Sequence, residues 1–133
     1  MKLDIVTPER SLVSTEIESV QIPGRAGYMG ILPLHAPLVS ELAPGTIEYC
    51  AVGRPADRPE RLAVSWGYVE VLPQQVSVLA ETAEKAAEID VPRAESARKR
   101  AEERIRTAGK DVDLDRAMAS LSRSLARLGA AKR

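Results

Sequence analysis

Phenylalanine is missing from this sequence, and aromatic residues make up only 3% of its 133 positions. A hydrophobic core must therefore be built from Val, Ile, Leu and Ala, which are among the residues most often fully buried. The single cysteine, Cys50, excludes an internal disulfide and a cysteine-based zinc site. The single histidine, His35, is a poor metal candidate without a second His or Cys ligand. These shortages argue against an enzyme, and the sequence predicts neither catalytic residues nor a metal site.

No run of apolar residues approaches the ~20 that a membrane-spanning helix needs, so direct membrane insertion is not expected. The opening segment, Met1–Val6, alternates in polarity like a strand and lacks the basic-then-apolar order of a signal peptide. We therefore expect a soluble, intracellular protein.

Proline and glycine are concentrated in the first two-thirds of the chain. Eight of the nine prolines lie between Pro8 and Pro73, and six of the eight glycines lie between Gly24 and Gly67. Beyond Pro92 there is no proline. Because these residues interrupt helices, the pattern predicts a non-helical body followed by a helical tail, as one domain or a small domain plus an appendage.

Short apolar stretches separated by turn residues fill the first part of the chain. They are Leu3–Thr7, Leu12–Ser14, Ile17–Ile22, Leu38–Leu42, Ile47–Val52, Leu62–Trp66, Tyr68–Leu72 and Val76–Ala80. Such spacing is typical of a β-sandwich or barrel. The glycine-rich Gly24–Gly30 fits no phosphate-binding fingerprint, so we expect tight turns between strands there. Cys50 falls in an alternating run and is expected to be a small packed residue.

Helical periodicity begins after residue 90. Asp90 is a candidate N-cap, and Pro92 suits the first turn of a helix. Gly109 ends this helix, and Asp111 or Asp113 caps the next. One apolar stripe consists of Val91, Ala94, Ala97, Ala101, Ile105 and Ala108, and the other of Leu114, Ala117, Met118, Leu121, Leu125 and Leu128. The spacing predicts helices at about 91–107 and 114–129, packed as a hairpin (90–133) that a linker (85–89) joins to a β domain (1–84).

Charge is balanced overall but unevenly spread. Residues 1–84 carry 6 basic and 11 acidic side chains, whereas residues 85–133 carry 13 basic and 8 acidic. The basic tail is dominated by arginine, whose planar fork suits phosphate or carboxylate: Arg93, Arg98, Arg100, Arg104, Arg106, Arg116, Arg123 and Arg127. These residues either meet an anionic partner or form a solvated face with pairs such as Glu95–Lys99 and Glu102–Arg106. Nucleic acid is not expected, because no aromatic residues accompany the arginines.

Three blocks resemble a known family. They are Gly30–Leu38 (GILPLHAPL), Ser65–Val71 (SWGYVEV) and Val76–Glu84 (VSVLAETAE). Their order and spacing are similar to those of the epsilon subunit of bacterial F-type ATP synthases, across essentially the whole chain. The resemblance implies a flattened β-sandwich of about ten short strands followed by a C-terminal antiparallel two-helix hairpin.

The resemblance also implies a function and a location. The chain would be a non-catalytic rotor subunit of a proton-translocating ATP synthase, peripheral at the cytoplasmic face of the bacterial inner membrane, with no required cofactor. Its sandwich would bind the gamma subunit and the c-ring, through residues that include Tyr28, Met29, Gly30, His35, Ala36 and Pro37. Its hairpin would permit ATP hydrolysis when packed on the sandwich. Extended along gamma toward the alpha and beta subunits, the hairpin would inhibit hydrolysis.

One further match concerns a nucleotide. The segment Ile89–Ala94 looks like the Ile/Leu-Asp-x-x-Arg-Ala motif by which some bacterial epsilon subunits bind ATP. The resemblance therefore makes ATP a candidate regulatory ligand. The residues carried over are Glu84, Ile89, Asp90, Arg93, Ala94, Arg100, Arg123 and Arg127.

Three residues depart from the family pattern. Leu34 and Trp66 occupy positions where the family usually has glycine, and Tyr28 lies where an acidic residue often faces the c-ring. Two other hypotheses stay open on the sequence. One is a general β-sandwich adaptor with a coiled-coil arm, unrelated to ATP synthase. The other is a cupin-type enzyme, which the single histidine disfavours.

Overall fold

A computed structural model describes residues 1–107, 109 and 113–131. Seven strands precede two helices: β1 (Lys2–Val6), β2 (Ser11–Gly24), β3 (Gly27–Ile31), β4 (Leu38–Leu42), β5 (Gly45–Ala51), β6 (Glu60–Leu72), β7 (Gln75–Lys85), α1 (Val91–Arg106) and α2 (Leu114–Ala131). A short 3-10 turn, Ala86–Glu88, connects β7 to α1. The predicted sandwich and helical tail are confirmed. The strands number seven rather than about ten, because the neighbouring stretches in β2 and in β6 join into single long strands.

The strands form one continuous sheet that folds over its own core. Its order is β1–β7–β6–β4–β2–β3, and β5 pairs with both β2 and β6. Because β1 also pairs with β2, the sheet closes on itself around inward-facing side chains. The core is aliphatic as predicted, apart from the edge of Tyr49. Its largest fully buried members are Leu3, Ile5, Ile17, Ile22, Ile31, Ile47, Leu62, Val64, Val69, Val71, Val76 and Val78.

The glycine-rich segment differs from its prediction. The turn is confined to Arg25 and Ala26, and Gly27–Ile31 forms β3, paired antiparallel with β2. Glycine has a low intrinsic preference for strands, but the backbone hydrogen bonds offered by the neighbouring strand override it here.

Strand β6 bends at Trp66 and Gly67. Their φ angles are 25° and 146°, outside the range of ordinary strands. Val64 and Val69 both face the core although they are five residues apart, so the bend resets the alternation of side chains. The outer face of the sheet is therefore divided into a part before the bend and a part after it.

Two non-glycine residues have positive φ among the described positions, Leu34 at 67° and Trp66 at 25°. The left-handed region costs an L-residue roughly 1–2 kcal/mol. These are the two positions at which the sequence departs from glycine in the family pattern. The backbone geometry explains why glycine suits both positions, and this chain holds a larger side chain in strained backbone at each.

Both helices begin at the predicted caps. The Asp90 carboxylate accepts a hydrogen bond from the Arg93 backbone N–H at 3.1 Å, and Asp113 accepts from the Arg116 N–H at 3.0 Å. Asp111, the other candidate cap, and Ala108 of the first stripe lie outside the described residues. Within the described residues, neither helix combines the length and the hydropathy needed to cross a membrane.

The buried face of α2 is not the predicted one. Leu114, Met118 and Leu125 are between 43% and 52% exposed, and the buried positions are Ala117, Ser124, Ala126 and Ala130. Small side chains let α2 approach both α1 and the sheet closely, which leaves the larger apolar side chains facing outward. On α1, Ala94 and Ala101 are buried as predicted, whereas Val91 at the start of the stripe is exposed.

Candidate functional site

The contact between α2 and the sandwich, which we call the dock, lies on the outer face of β5 and β6 before the bend. Ala126 and Ala130 pack there with Ala63 and Ile89 in an apolar cluster separate from the sandwich core. The Thr46 hydroxyl donates a hydrogen bond to the Ala126 carbonyl at 3.3 Å. A dock made of three alanines and one isoleucine buries little apolar area, so its stabilisation is small.

Two arginines of α2 contact the sandwich beside this cluster. Arg127 Nε donates to Glu84 Oε1 at 2.8 Å, and both side chains are about two-thirds buried. The Arg123 guanidinium lies 5.5 Å from the centre of the Trp66 ring, within the range of a cation–π contact. The space left between α2 and the sheet here is only ≈ 10 Å³, about the minimum for one water molecule. This part of the dock is closed in the observed conformation.

The eight residues assigned to ATP by resemblance are spread over the end of β7 and both helices. Ile89 is 9% exposed in the dock cluster, and Ala94 is 2% exposed. Arg93 and Arg100 are exposed on α1, and among the described residues their side chains have no hydrogen-bond or ion-pair partner. Within the set, one hydrogen bond joins two side chains, Glu84 and Arg127.

The ion pairs of α1 differ from those predicted. Arg98 bridges Glu95 and Glu102, and Arg106 pairs with Glu103 instead of Glu102. The hydrogen bond from Arg98 holds the pKa of Glu95 below its usual value. These pairs neutralise Arg98 and Arg106, so the solvated-face hypothesis accounts for part of the arginine set.

The connection between sandwich and hairpin is fixed by a bidentate pair. The Arg10 guanidinium, in the turn between β1 and β2, donates to both oxygens of Glu88 at 3.1 and 2.9 Å. Hydrogen bonds from Arg10 and from the Lys85 backbone N–H hold the pKa of Glu88 below its ordinary value. The segment before α1 is thus attached to the sandwich independently of α2.

The six residues predicted to face gamma or the c-ring lie in two places. Tyr28 is 56% exposed, and its hydroxyl accepts from the Thr46 N–H at 3.1 Å beside the dock. Met29 is half-buried and Gly30 is exposed on the same strand. His35, Ala36 and Pro37 belong to a loop held near the β6–β7 turn by the bond from the Leu34 N–H to the Pro73 carbonyl, 2.9 Å. About seven residues of β6, roughly 20 Å, separate the two places.

His35 and Cys50 have no catalytic surroundings. His35 Nδ1 lies 2.7 Å from the Ala36 carbonyl, and the half-buried Cys50 Sγ lies 3.9 Å from the Ala56 carbonyl. Among the residues that the structure describes, no three His, Cys, Asp or Glu side chains are grouped as metal ligands.

An apolar strip that the sequence argument missed lies on the outer face after the bend. Val39, Tyr68 and Leu79 are 69%, 57% and 58% exposed on three adjacent strands. Tyr68 is directly opposite Leu79 on β7. The predicted strand stretches contained these residues, but only the reset of alternation at the bend shows that they share a surface. Trp66 and Tyr68, with Arg25, Glu41 and Glu81, line a cleft of ≈ 550 Å³ beside the strip.

Comparisons with known proteins agree over the full length. The family described as ATP synthase, Delta/Epsilon chain, beta-sandwich domain matches residues 1–86, and the corresponding long alpha-helix domain matches residues 87–132. The chain belongs to the epsilon-chain family of ATP synthases. It is 47% identical over 131 residues to the epsilon chain of Moorella thermoacetica, covering 98% of this chain and 96% of the relative. With the epsilon chain of Koribacter versatilis it shares 50% identity over 108 residues, covering 81% and 73%.

Solved structures show the same fold. A chain of the Euglena gracilis mitochondrial ATP synthase superimposes with a TM-score of 0.78 at 22% identity, covering 90% of this epsilon chain and 74% of the other. A chain from the central stalk and c-ring of the Tetrahymena thermophila mitochondrial ATP synthase gives 0.65 at 13% identity, covering 99% and 96%. At such identities these likenesses establish the architecture alone.

Proposed function

We propose that this epsilon chain is a non-catalytic rotor subunit of the central stalk, which couples gamma to the c-ring and restrains ATP hydrolysis through its hairpin. It would act at the cytoplasmic face of the bacterial inner membrane. The observation that carries the proposal is the uneven use of α2. Its small residues make a shallow dock, while its largest apolar side chains, Leu114, Met118 and Leu125, are about half exposed.

This arrangement suits a helix with two alternative partners. When α2 leaves the sandwich, it gives up alanine contacts that are worth little. Its exposed leucine and methionine side chains can then pack along gamma, which repays the loss. The exposed Arg93, Arg100, Arg104 and Arg116 would meet acidic surfaces of the alpha and beta subunits.

The sandwich offers a separate surface for assembly. The strip of Val39, Tyr68 and Leu79 is not covered by the hairpin and is the largest exposed apolar feature of the sheet face after the bend. Exposed apolar patches of this kind mark protein–protein contacts. We assign it to gamma, and the loop of His35, Ala36 and Pro37 to the c-ring.

The test of this function is ATP hydrolysis by a matched alpha–beta–gamma core. Full-length chain is expected to inhibit, and a chain truncated after Ala86 is expected to bind without inhibiting, since the sandwich core is separate from the dock cluster. If both bind and neither inhibits, the hairpin has another task. If neither binds, the rotor assignment fails.

ATP is proposed as the ligand that opposes extension. A ligand shifts this equilibrium only through a difference in affinity between the docked and extended states. Replacing Arg93 and Arg127 together by alanine is expected to weaken ATP binding at least about tenfold, because each removes a charge-assisted hydrogen bond. Isothermal titration calorimetry measures the affinity.

Two variants make the calorimetry specific. Arg127 also holds Glu84, so the single Arg93→Ala variant tests the ligand contact without disturbing the dock. Arg104→Ala removes an exposed cation of α1 outside the proposed site and should bind ATP like the unmodified chain. Unchanged affinity in the double variant removes the nucleotide hypothesis.

A further inference from the structure

Trp66 combines an unusual backbone with an unusual contact. It is the chain's only tryptophan, its φ is 25°, and its ring lies under Arg123 of α2. A bulky residue held in a sparsely populated region of backbone space needs surroundings that stabilise it there. The contact with α2 is such a surrounding, so the strain at β6 and the position of α2 are linked.

A second contact stands one helical turn away. Arg123 and Arg127 are four residues apart on α2 and therefore point from the same face. Glu84 receives Arg127 at 2.8 Å, from β7, the strand paired with the one that carries Trp66. The two arginines thus meet an aromatic ring and a carboxylate on adjacent strands, with only ≈ 10 Å³ of free space between helix and sheet.

We propose that Trp66–Arg123 and Glu84–Arg127 form a latch that holds α2 in the dock without a bound nucleotide. The apolar part of the dock is small, so these two polar contacts supply a large share of its stability. Partial burial strengthens both contacts relative to fully exposed pairs. The latch makes the docked hairpin an intrinsic property of this chain, set by its own side chains.

Hydrogen–deuterium exchange of the isolated full-length chain, without nucleotide, tests the latch. Helices of this length are marginal in isolation, so undocking exposes α2 amides to exchange. Trp66→Gly and Glu84→Gln are each expected to speed α2 exchange about two- to five-fold, and together about five- to twenty-fold. The strand amides of the same samples report whether the sandwich stays folded.

Three further variants sharpen the result. Trp66→Leu keeps apolar bulk but removes the ring face, so it should exchange like Trp66→Gly. Trp66→Phe keeps a ring and should lie nearer the unmodified chain. Arg104→Gln removes an exposed α1 cation outside the latch and should leave α2 exchange unchanged.

The proposal is overturned if α2 exchanges at the unmodified rate in the Trp66→Gly, Glu84→Gln double variant while the strands remain protected. It is also overturned if Trp66→Leu behaves like the unmodified chain, because the contact would then be one of bulk alone. Neither result depends on ATPase inhibition, so the rotor function stands or falls separately.

Discussion

Oxidising a Thr46→Cys, Gly129→Cys chain is expected to weaken its inhibition of ATP hydrolysis at least roughly tenfold, since a disulfide biases an equilibrium by about 2–4 kcal/mol. A Cβ built on Gly129 would lie 3.1 Å from Thr46 Oγ1. In a disulfide with an S–S bond of about 2.05 Å, the Cβ of one residue lies about 3 Å from the sulfur of the other. Thr46 therefore already places an atom where a bridging sulfur belongs.

The bridge would join β5 to α2 across the dock and prevent extension. Cys50→Ser is included, because Cys50 carries the chain's only native thiol. The readout is ATPase activity of the alpha–beta–gamma core with the oxidised chain, followed by reduction in the same sample. Reduction should restore inhibition if the chain has stayed bound.

A matched control carries Thr46→Cys and Cys50→Ser alone. It loses the hydroxyl bond to Ala126 but cannot form the bridge, and it should inhibit equally under oxidising and reducing conditions. Equal inhibition by the bridged and reduced double variant would mean that α2 inhibits without leaving the sandwich, and the two-state mechanism would be wrong.

Gly67→Ala is expected to destabilise the sandwich by roughly 3–4 kcal/mol, which combines backbone strain with steric overlap. The φ of Gly67 is 146°, and an added Cβ would lie 1.9 Å from the Leu79 carbonyl oxygen. That oxygen belongs to the backbone of the paired strand, so it cannot move without breaking the β6–β7 ladder. Thermal unfolding should show a fall in Tm of about 10–20 °C.

Gly53→Ala separates the two causes. Gly53 has φ 82°, and nothing lies within 4 Å of the position of its added Cβ. This variant pays the backbone strain without the overlap, so its loss should be about 1–2 kcal/mol. Equal losses in the two variants would show that strand β7 yields to the added methyl group, and that the bend is softer than the structure indicates.

Particular residues show how far sequence reasoning reached. Asp90 and Asp113 were predicted as caps because a carboxylate before a helical pattern has few other uses, and both donate their oxygens to the expected N–H groups. The aliphatic core followed from composition. β3 was missed, because glycine-rich composition hides a strand whose stability comes from pairing with β2.

The exposed side of α2 was also beyond the sequence. Periodicity finds a stripe of leucine and methionine but does not say whether a neighbour covers it. Leu114, Met118 and Leu125 are left outside because the alanines on the other side fit closer to the sheet. The apolar strip of Val39, Tyr68 and Leu79 was hidden for a related reason, since it depends on the bend at Trp66.

The sequence by itself determined the division into strands and helices, the aliphatic core, the helix starts and the family. Those features depend on local preference, on composition and on short motifs, which act between residues close in the chain. Only the tertiary structure decided that Trp66 meets Arg123 and that Glu84 meets Arg127. These partners are 57 and 43 positions apart in the numbering, and only the docking of α2 on the folded sheet brings them together.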